Sequence, residues 1–157
     1  MKRLKLYIET SVWNFLFADD APVKMQDTVR FFEEIQSGDY ELFVSEMVMT
    51  EIRRAPETTK NKLLAKISEF EPEELEVTTE IRRLAAKYAE AGFLTGKAYE
   101  DLVHAAAATV NNIDFLVSWN LKHIVKVKTI VEINAVNVIE GYRELKICTV
   151  LEVFSDG

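Results

Sequence analysis

The chain has 157 residues, of which 48% are apolar and 29% are charged, and it contains only 5 Gly and 3 Pro. A chain of this length and apolar content can bury one sizeable core, which excludes a disordered or collagen-like protein and predicts a single domain over residues 1–157. Cys148 is the only cysteine, so a disulfide-stapled fold is excluded as well.

No stretch approaches the roughly 20 apolar residues of a membrane span, and Glu9 and Asn14 interrupt the apolar run that a signal peptide would need. We therefore expect a soluble, cytoplasmic protein with no membrane partner. The net charge of −7, from 19 Lys plus Arg and 26 Asp plus Glu, argues mildly against a nucleic-acid binder. Local charge still decides, because the field at a site depends on where the charges lie.

Short apolar segments with the composition of β-strands recur along the chain. They cover residues 4–8, 42–44, 75–78, 114–118 and 146–150. Between them, apolar residues return every three or four positions, which predicts helices. The helical segments are one that ends at Gly38, one that holds residues 47–52, and those at 60–70, 80–91, 97–110 and 129–142.

This alternation of strands and helices predicts an α/β sandwich, because continuous apolar strands are typical of sheets covered on both faces. Ser45 and Thr95 are the predicted N-caps of the helices that follow them, and Pro56 is predicted to end or bend the first of these. The Glu-rich residues 69–76 are predicted to form a solvated connector.

Three acids lie at comparable ends of these elements. Glu9 follows the first strand, Glu51 is on the helix after the second strand, and Asp101 opens the helix before the fourth. One such acid alone is more often a cap or a surface charge. In open parallel sheets, however, ligands collect at the carboxyl ends of strands, and two like charges about 4 Å apart repel by roughly 4 kcal/mol at an effective dielectric of about 20. The pattern therefore predicts a shared site that takes up protons or a hard cation, Mg²⁺ or Mn²⁺.

Other site classes receive less support from the sequence. It has no metal-binding pattern of Cys and His, no Gly-rich phosphate loop and no Gly-x-Ser-x-Gly elbow. A phosphoacceptor domain like a response regulator also places acids at strand ends, but the first strand ends in Glu9 and no acidic pair precedes it.

Four ordered stretches resemble the signatures of the PIN domain family. They are residues 7–11 (YIETS), 50–52 (TEI), 100–106 (EDLVHAA) and 114–123 (DFLVSWNLKH), with 147–153 (ICTVLEV) similar to the last strand and tail. The resemblance covers nearly the whole chain. It implies a PIN-like three-layer sandwich, in which a parallel sheet of about five strands is flanked by helices.

The resemblance also implies a ribonuclease that depends on Mg²⁺ or Mn²⁺. Many bacterial and archaeal members are VapC-type toxins of toxin–antitoxin pairs, so it implies an RNA substrate and a small antitoxin protein as partners. By position, Glu9, Glu51 and Asp101 would be the catalytic, metal-binding acids, and Asn120 would be a fourth metal ligand.

This chain departs from the family pattern in two places. Glu9 stands where members usually have Asp, and Asn120 stands where a fourth acid is often found. The first change adds a methylene and the second removes a charge, so we expect weaker metal binding. The alternative function is a PIN-like module of weak or no activity that acts by binding protein or RNA.

The residues around the fourth strand supply candidates for substrate binding. Ser118 is predicted to hydrogen-bond an acid or the phosphate, or else to cap the following turn. Trp119 would stack on a base or, as we favour, pack in the core. Lys122 and His123 belong to a basic segment that would hold the RNA backbone or form a solvated face.

Two further predictions concern packing. His104 lies one helical turn after Asp101, and we predict a packed, hydrogen-bonded histidine rather than a proton carrier. The apolar residues 13–17 are most simply core, and any that remain exposed would suit a homodimer or the helix of an inhibitor.

Overall fold

A five-stranded parallel sheet forms the centre of the computed structural model, which describes residues 3–91 and 99–154. The strands are β1 (Leu4–Ile8), β2 (Tyr40–Ser45), β3 (Glu73–Leu75), β4 (Phe115–Val117) and β5 (Lys146–Cys148), in the spatial order β3-β2-β1-β4-β5. Every neighbouring pair is parallel. The predicted fold class is thus confirmed.

Helices connect the strands and cover the sheet. They are α1 (Thr10–Phe15), α2 (Pro22–Ser37), α3 (Glu46–Arg53), α4 (Glu57–Phe70), α5 (Thr79–Glu90), α6 (Tyr99–Val110), α7 (Val127–Ile139) and α8 (Val150–Val153). None of the helices in the described ranges has both the length and the apolar character needed to cross a bilayer.

The strand order explains the three layers. Crossovers between parallel strands are right-handed, so the helices between β1 and β3 lie on one face and those between β3 and β5 lie on the other. The contacts agree, because α1 packs on α2 and α4, whereas α5 packs on α6 and α7. The central strand β1 is fully buried at Leu6, Tyr7 and Ile8. Opposite it, α6 presents the buried alanines 105–108, whose small side chains allow close approach.

Several element boundaries differ from the sequence prediction. The third strand is Glu73–Leu75 instead of 75–78, because an edge strand is held by backbone pairing to β2 and can expose Glu73 and Glu74. The fifth strand ends at Cys148, since Thr149 begins α8 with a capping box to Glu152.

The last long helix, α7, ends at Ile139 instead of residue 142. Gly141 takes a left-handed conformation with φ of 89°, which terminates the helix. Ser45 is an N-cap as predicted, accepting the Met47 N–H. Thr95 and the start of the predicted helix at 97 lie outside the described residues.

The order of the strands reverses between β1 and β4, since β1 leads to β2 on one side and β4 leads to β5 on the other. Such a switch point opens a crevice at the carboxyl ends of the strands. Glu9 and Ser118 are the residues that directly follow these two strands, and the Glu9 N–H donates to the Val117 carbonyl at 3.0 Å.

Candidate active site

Glu9 is almost completely buried at this switch point, with 5% of its surface exposed. Its Oε1 accepts hydrogen bonds from the hydroxyls of Ser11, at 2.5 Å, and Ser118, at 2.6 Å. Although Glu9 is at the N-cap position of α1, its side chain makes no capping bond. The two serine hydroxyls therefore fix the direction of a buried carboxylate.

Glu51 reaches the same crevice from the last turn of α3. Its Oε1 accepts the hydroxyl of Thr10 and lies 2.8 Å from His104 Nε2. Burial alone would raise the pKa of Glu51, but the hydrogen bond and positive charge of His104, with hydrogen bonds from Thr10 and Glu100, lower it to about 2. Glu51 is accordingly a carboxylate that can only accept, and His104 Nε2 carries a proton.

His104 is fully buried on α6, and both of its ring nitrogens have partners. Nδ1 lies 2.7 Å from the hydroxyl of Tyr7, whose oxygen is also 2.7 Å from Ser45 Oγ. Burial lowers the pKa of His104, but the hydrogen bond to Glu51 and the charges of the nearby acids outweigh this and leave the pKa raised. The predicted packed histidine is thus what the structure contains, and it is part of the site.

Asp101 begins α6 on the same side of the crevice. Its pKa is raised to about 7, mainly by burial; the negative charges of Glu9, Glu51 and Glu100 also raise it, and the positive charge of His104 lowers it. The three predicted acids therefore share one electrostatic environment. The charged form of Asp101 is therefore disfavoured first by its burial and then by the like charges around it.

A hard divalent cation fits this donor set. Ligand atoms of Glu9, Glu51 and His104 all lie within 4.8 Å of one another. Both nitrogens of His104 are already engaged, so the carboxylates are the donors best placed to bind. Carboxylate oxygens suit Mg²⁺ and Mn²⁺, and a cation would relieve the excess negative charge.

Ser118 and Asn120 organise the loop after β4. Besides donating to Glu9, Ser118 Oγ accepts the Asn120 N–H at 2.9 Å, so it combines both predicted roles. Asn120 turns its amide nitrogen towards Asp101, at 3.4 Å, while its Oδ1 accepts the His123 N–H. In this arrangement Asn120 offers the acids a donor, not the oxygen expected of a fourth metal ligand.

Trp119 is only 6% exposed. Its indole N–H donates to Thr28 Oγ1 at 2.8 Å, and its ring centre lies 5.9 Å from that of Phe15. A base cannot stack on a ring buried in this way, so packing is the role that these contacts support. Lys122 and His123, in contrast, are exposed beside the crevice.

Several polar side chains of the site were not predicted from the sequence. Tyr7, Thr10, Ser11 and Ser45 hold the two glutamates, directly or through His104. Hydroxyl residues beside Glu9 in the chain were a usable signal for Thr10 and Ser11. No local pattern identifies Tyr7, because in the sequence it looks like any other large core residue of a buried strand.

The fold is similar to that of two solved VapC and VapBC structures, which confirms the resemblance at the level of fold. No protein-family model matches the chain, and no curated protein matches its sequence.

Two solved structures are similar to this chain over nearly their whole lengths. One is a chain of VapBC2 from Rickettsia felis, a structure bound to a DNA fragment from the VapBC2 promoter. Its TM-score is 0.57 and its sequence identity is 13%, and the match covers 93% of this chain and 98% of that chain. The other is VapC20 from Mycobacterium tuberculosis, a sarcin–ricin loop cleaving toxin, with a TM-score of 0.58, 14% identity, and coverage of 88% and 97%.

Proposed function

We propose that this protein is a ribonuclease that depends on Mg²⁺ or Mn²⁺ and hydrolyses RNA phosphodiester bonds. The observation that carries the proposal is the meeting of Glu9 and Glu51 at the switch point of the sheet, with ligand atoms within 4.8 Å. Asp101 is not one of the residues whose ligand atoms lie within 4.8 Å of one another, which are Glu9, Glu51 and His104. It begins α6 near them, its pKa responds to the charges of both glutamates, and we propose it as the third acid of the site.

In this proposal Glu9, Glu51 and Asp101 hold the cation. A divalent ion bound by carboxylates polarises a phosphoryl oxygen and activates water for in-line attack. Ser11 and Ser118 orient Glu9, while Thr10 and His104 orient Glu51. Asn120 supports Asp101 through its amide nitrogen.

Lys122 and His123 are exposed in the loop after β4, where the His123 N–H donates to Asn120 Oδ1, and in this proposal they contact the RNA backbone. Their neighbours Lys126 and Lys128 continue the basic segment, although Lys128 also lies 4.0 Å from Glu132. This local positive charge supports RNA binding by a chain whose net charge is −7.

A small inhibitor protein is the partner that we propose on the basis of the VapBC2 structure, which is a complex. A cavity of about 380 Å³ between the end of α1, α2 and α4, with Glu33, Gln36, Lys66 and Glu69 beside an apolar part, supports this partner. Leu16, Phe17, Val29, Phe32 and Phe70 contribute its apolar lining. We propose a toxin of a toxin–antitoxin pair in the cytoplasm, and purification together with the product of a neighbouring small reading frame would test it.

The nuclease proposal is tested by incubating purified protein with structured RNA and Mn²⁺ or Mg²⁺, with and without a chelator. We expect cleavage that the chelator abolishes, with 5′-phosphate and 3′-hydroxyl ends. Asp101→Asn should lose cleavage. The matched control is Asp39→Asn, the same substitution at an exposed side chain at the opposite end of the sheet.

Cleavage that persists in Asp101→Asn, or that survives the chelator, contradicts the proposal. If the wild type binds RNA or the partner protein but cuts nothing with either metal, the second function holds. The protein is then a PIN-like binding module, in which Glu9 and Asn120 are the departures that weaken the metal site.

A further inference from the structure

A continuous chain of hydrogen bonds runs from the centre of the sheet to the Glu51 carboxylate. It passes from Ser45 to the Tyr7 hydroxyl, then through both nitrogens of His104 to Glu51 Oε1, with separations of 2.7, 2.7 and 2.8 Å. Ser45, Tyr7 and His104 are completely buried. These three hydrogen bonds connect β2, β1, α6 and α3 and join residues 38, 97 and 53 positions apart.

The donor and the acceptor of each of these hydrogen bonds can be assigned by starting from the Glu51 carboxylate. A carboxylate only accepts hydrogen bonds, so His104 Nε2 must donate to Glu51. When the ring is neutral, Nδ1 accepts from the Tyr7 hydroxyl and the Tyr7 oxygen accepts from Ser45. When the ring is protonated, as its raised pKa favours, Nδ1 donates to the Tyr7 oxygen and the Tyr7 hydroxyl donates to Ser45 Oγ, which also accepts the Met47 N–H. In either state both ring nitrogens are engaged, so the ring is held in one orientation towards Glu51.

We propose that Tyr7 and His104 are positioning residues, which fix the Glu51 carboxylate in the orientation that binds the catalytic cation. The inference rests on the proposed function for its cation and deepens it by assigning a role to two residues that touch neither RNA nor metal. Hydrogen-bond partners behind a ligand commonly orient it in this way.

The geometry separates this role from simple packing. The Tyr7 ring lies across from His104 at 5.8 Å between centres, so it fills core space as well as donating a hydrogen bond. Tyr7→Phe keeps the ring and removes only the hydroxyl. Without the Tyr7 hydroxyl, His104 Nδ1 has no hydrogen-bond partner, and the His104 ring can exchange tautomers or rotate.

Tyr88→Phe is the matched control. Tyr88 is also fully buried, and its hydroxyl bonds to Asn137 Oδ1, at 2.5 Å, and lies 3.3 Å from Thr109 Oγ1. Both variants remove a hydroxyl with two buried partners, but only Tyr7 is connected to Glu51. A purely structural effect should lower the melting temperature of both proteins and leave Mn²⁺ binding alike in both.

The first measurement is Mn²⁺ binding by calorimetry, with RNA cleavage recorded in parallel. We expect Tyr7→Phe to weaken Mn²⁺ binding about 10-fold or more, as loss of such supporting partners does in other metal sites. The KM for RNA should stay unchanged, and Tyr88→Phe should bind Mn²⁺ like the wild type. Equal Mn²⁺ affinity in the wild type and Tyr7→Phe overturns the inference.

The second measurement needs no metal and no activity. The chain has 2 histidines, so nitrogen-15 spectra of the ring nitrogens contain two sets of signals, and a His123→Gln variant assigns them. In the metal-free wild type, at a pH where the His104 ring is neutral, we expect its proton on Nε2 alone, and in Tyr7→Phe at the same pH we expect this single tautomer to be lost. A proton on Nδ1 alone, or an unchanged tautomer in Tyr7→Phe, overturns the inference.

The two proposals fail in different ways. A wild type that binds Mn²⁺ without cutting RNA removes the ribonuclease, while the Mn²⁺ affinity of Tyr7→Phe still decides the positioning role. A wild type that cuts RNA while Tyr7→Phe matches it in Mn²⁺ affinity and tautomer removes the positioning role alone. A wild type that binds no Mn²⁺ removes both.

Discussion

Asp101→Asn should make the metal-free protein more stable while it abolishes cleavage. Burial and the neighbouring acids raise the pKa of Asp101 from 3.8 to about 7 in the folded state. The folded protein therefore holds this proton more tightly than the unfolded chain does, and ionising Asp101 costs folding free energy. Asparagine has a similar shape and no charge, so it avoids that cost.

The magnitude follows from the shift of about 3 pKa units, each worth about 1.4 kcal/mol, which gives an upper bound of about 4 kcal/mol. Asp101 is partly exposed, so solvent screening reduces the effect, and we expect about 1–3 kcal/mol. Because the folded-state pKa is raised, the penalty is complete above about pH 7 and disappears as the pH falls towards 4.

Urea unfolding without metal measures this difference. We expect the advantage of Asp101→Asn over the wild type to be larger at about pH 8 than at about pH 5.5. Saturating Mn²⁺ should then stabilise the wild type and leave the variant unchanged, because only a state that binds the ion gains from it. A variant that is less stable than the wild type at the higher pH would refute the electrostatic reasoning, and Asp39→Asn should show neither effect.

Three other predictions concern neighbouring side chains. Glu9→Asp restores the residue usual in PIN domains, but it should reduce cleavage about 10-fold or more, because the shorter side chain withdraws from Ser118. Mn²⁺ affinity should be measured in the same variant, and cleavage equal to or above that of the wild type would contradict this reasoning. Trp119→Phe should lose about 1–2 kcal/mol in urea unfolding by giving up its hydrogen bond to Thr28, with an unchanged KM for RNA; a raised KM would instead indicate stacking. Lys122→Ala should weaken RNA binding and lower the slope of log affinity against log salt by about 1 in a salt titration, and an unaltered slope would remove Lys122 from the interface.

Local patterns were sufficient to predict most of the architecture. Apolar runs and helical periodicity located the central strands and α5, because these elements bury one kind of side chain in a regular order. The predicted position of the edge strand β3 was wrong by two residues at its start, because Glu73 and Glu74 are held by backbone pairing and have no apolar side chains to indicate a strand. A helix stop at Gly141 was missed for a related reason, since its left-handed conformation is a backbone property.

The acids of the site, together with Ser118 and His104, were predictable from the sequence, but the other side chains that hold the acids were not. Glu9, Glu51 and Asp101 stand out because acids next to buried elements are unusual. The bond between Tyr7 and His104 joins residues 97 positions apart, and that between Ser118 and Glu9 joins residues 109 apart. Such contacts depend on the strand order, which no short stretch of sequence specifies. Tyr7 therefore resembles an ordinary core residue until the sheet is assembled.

The wide spacing of these contacts bears on when the protein can begin to act. Glu9 leaves the ribosome well before Ser118, whose hydroxyl donates to it and is synthesised 109 positions later. A truncated chain that lacks β4 and Ser118 therefore contains the acids but not the Ser118 hydroxyl that orients Glu9. An ordered site therefore requires a chain that extends past Ser118, so cleavage should be absent from fragments that end before β4.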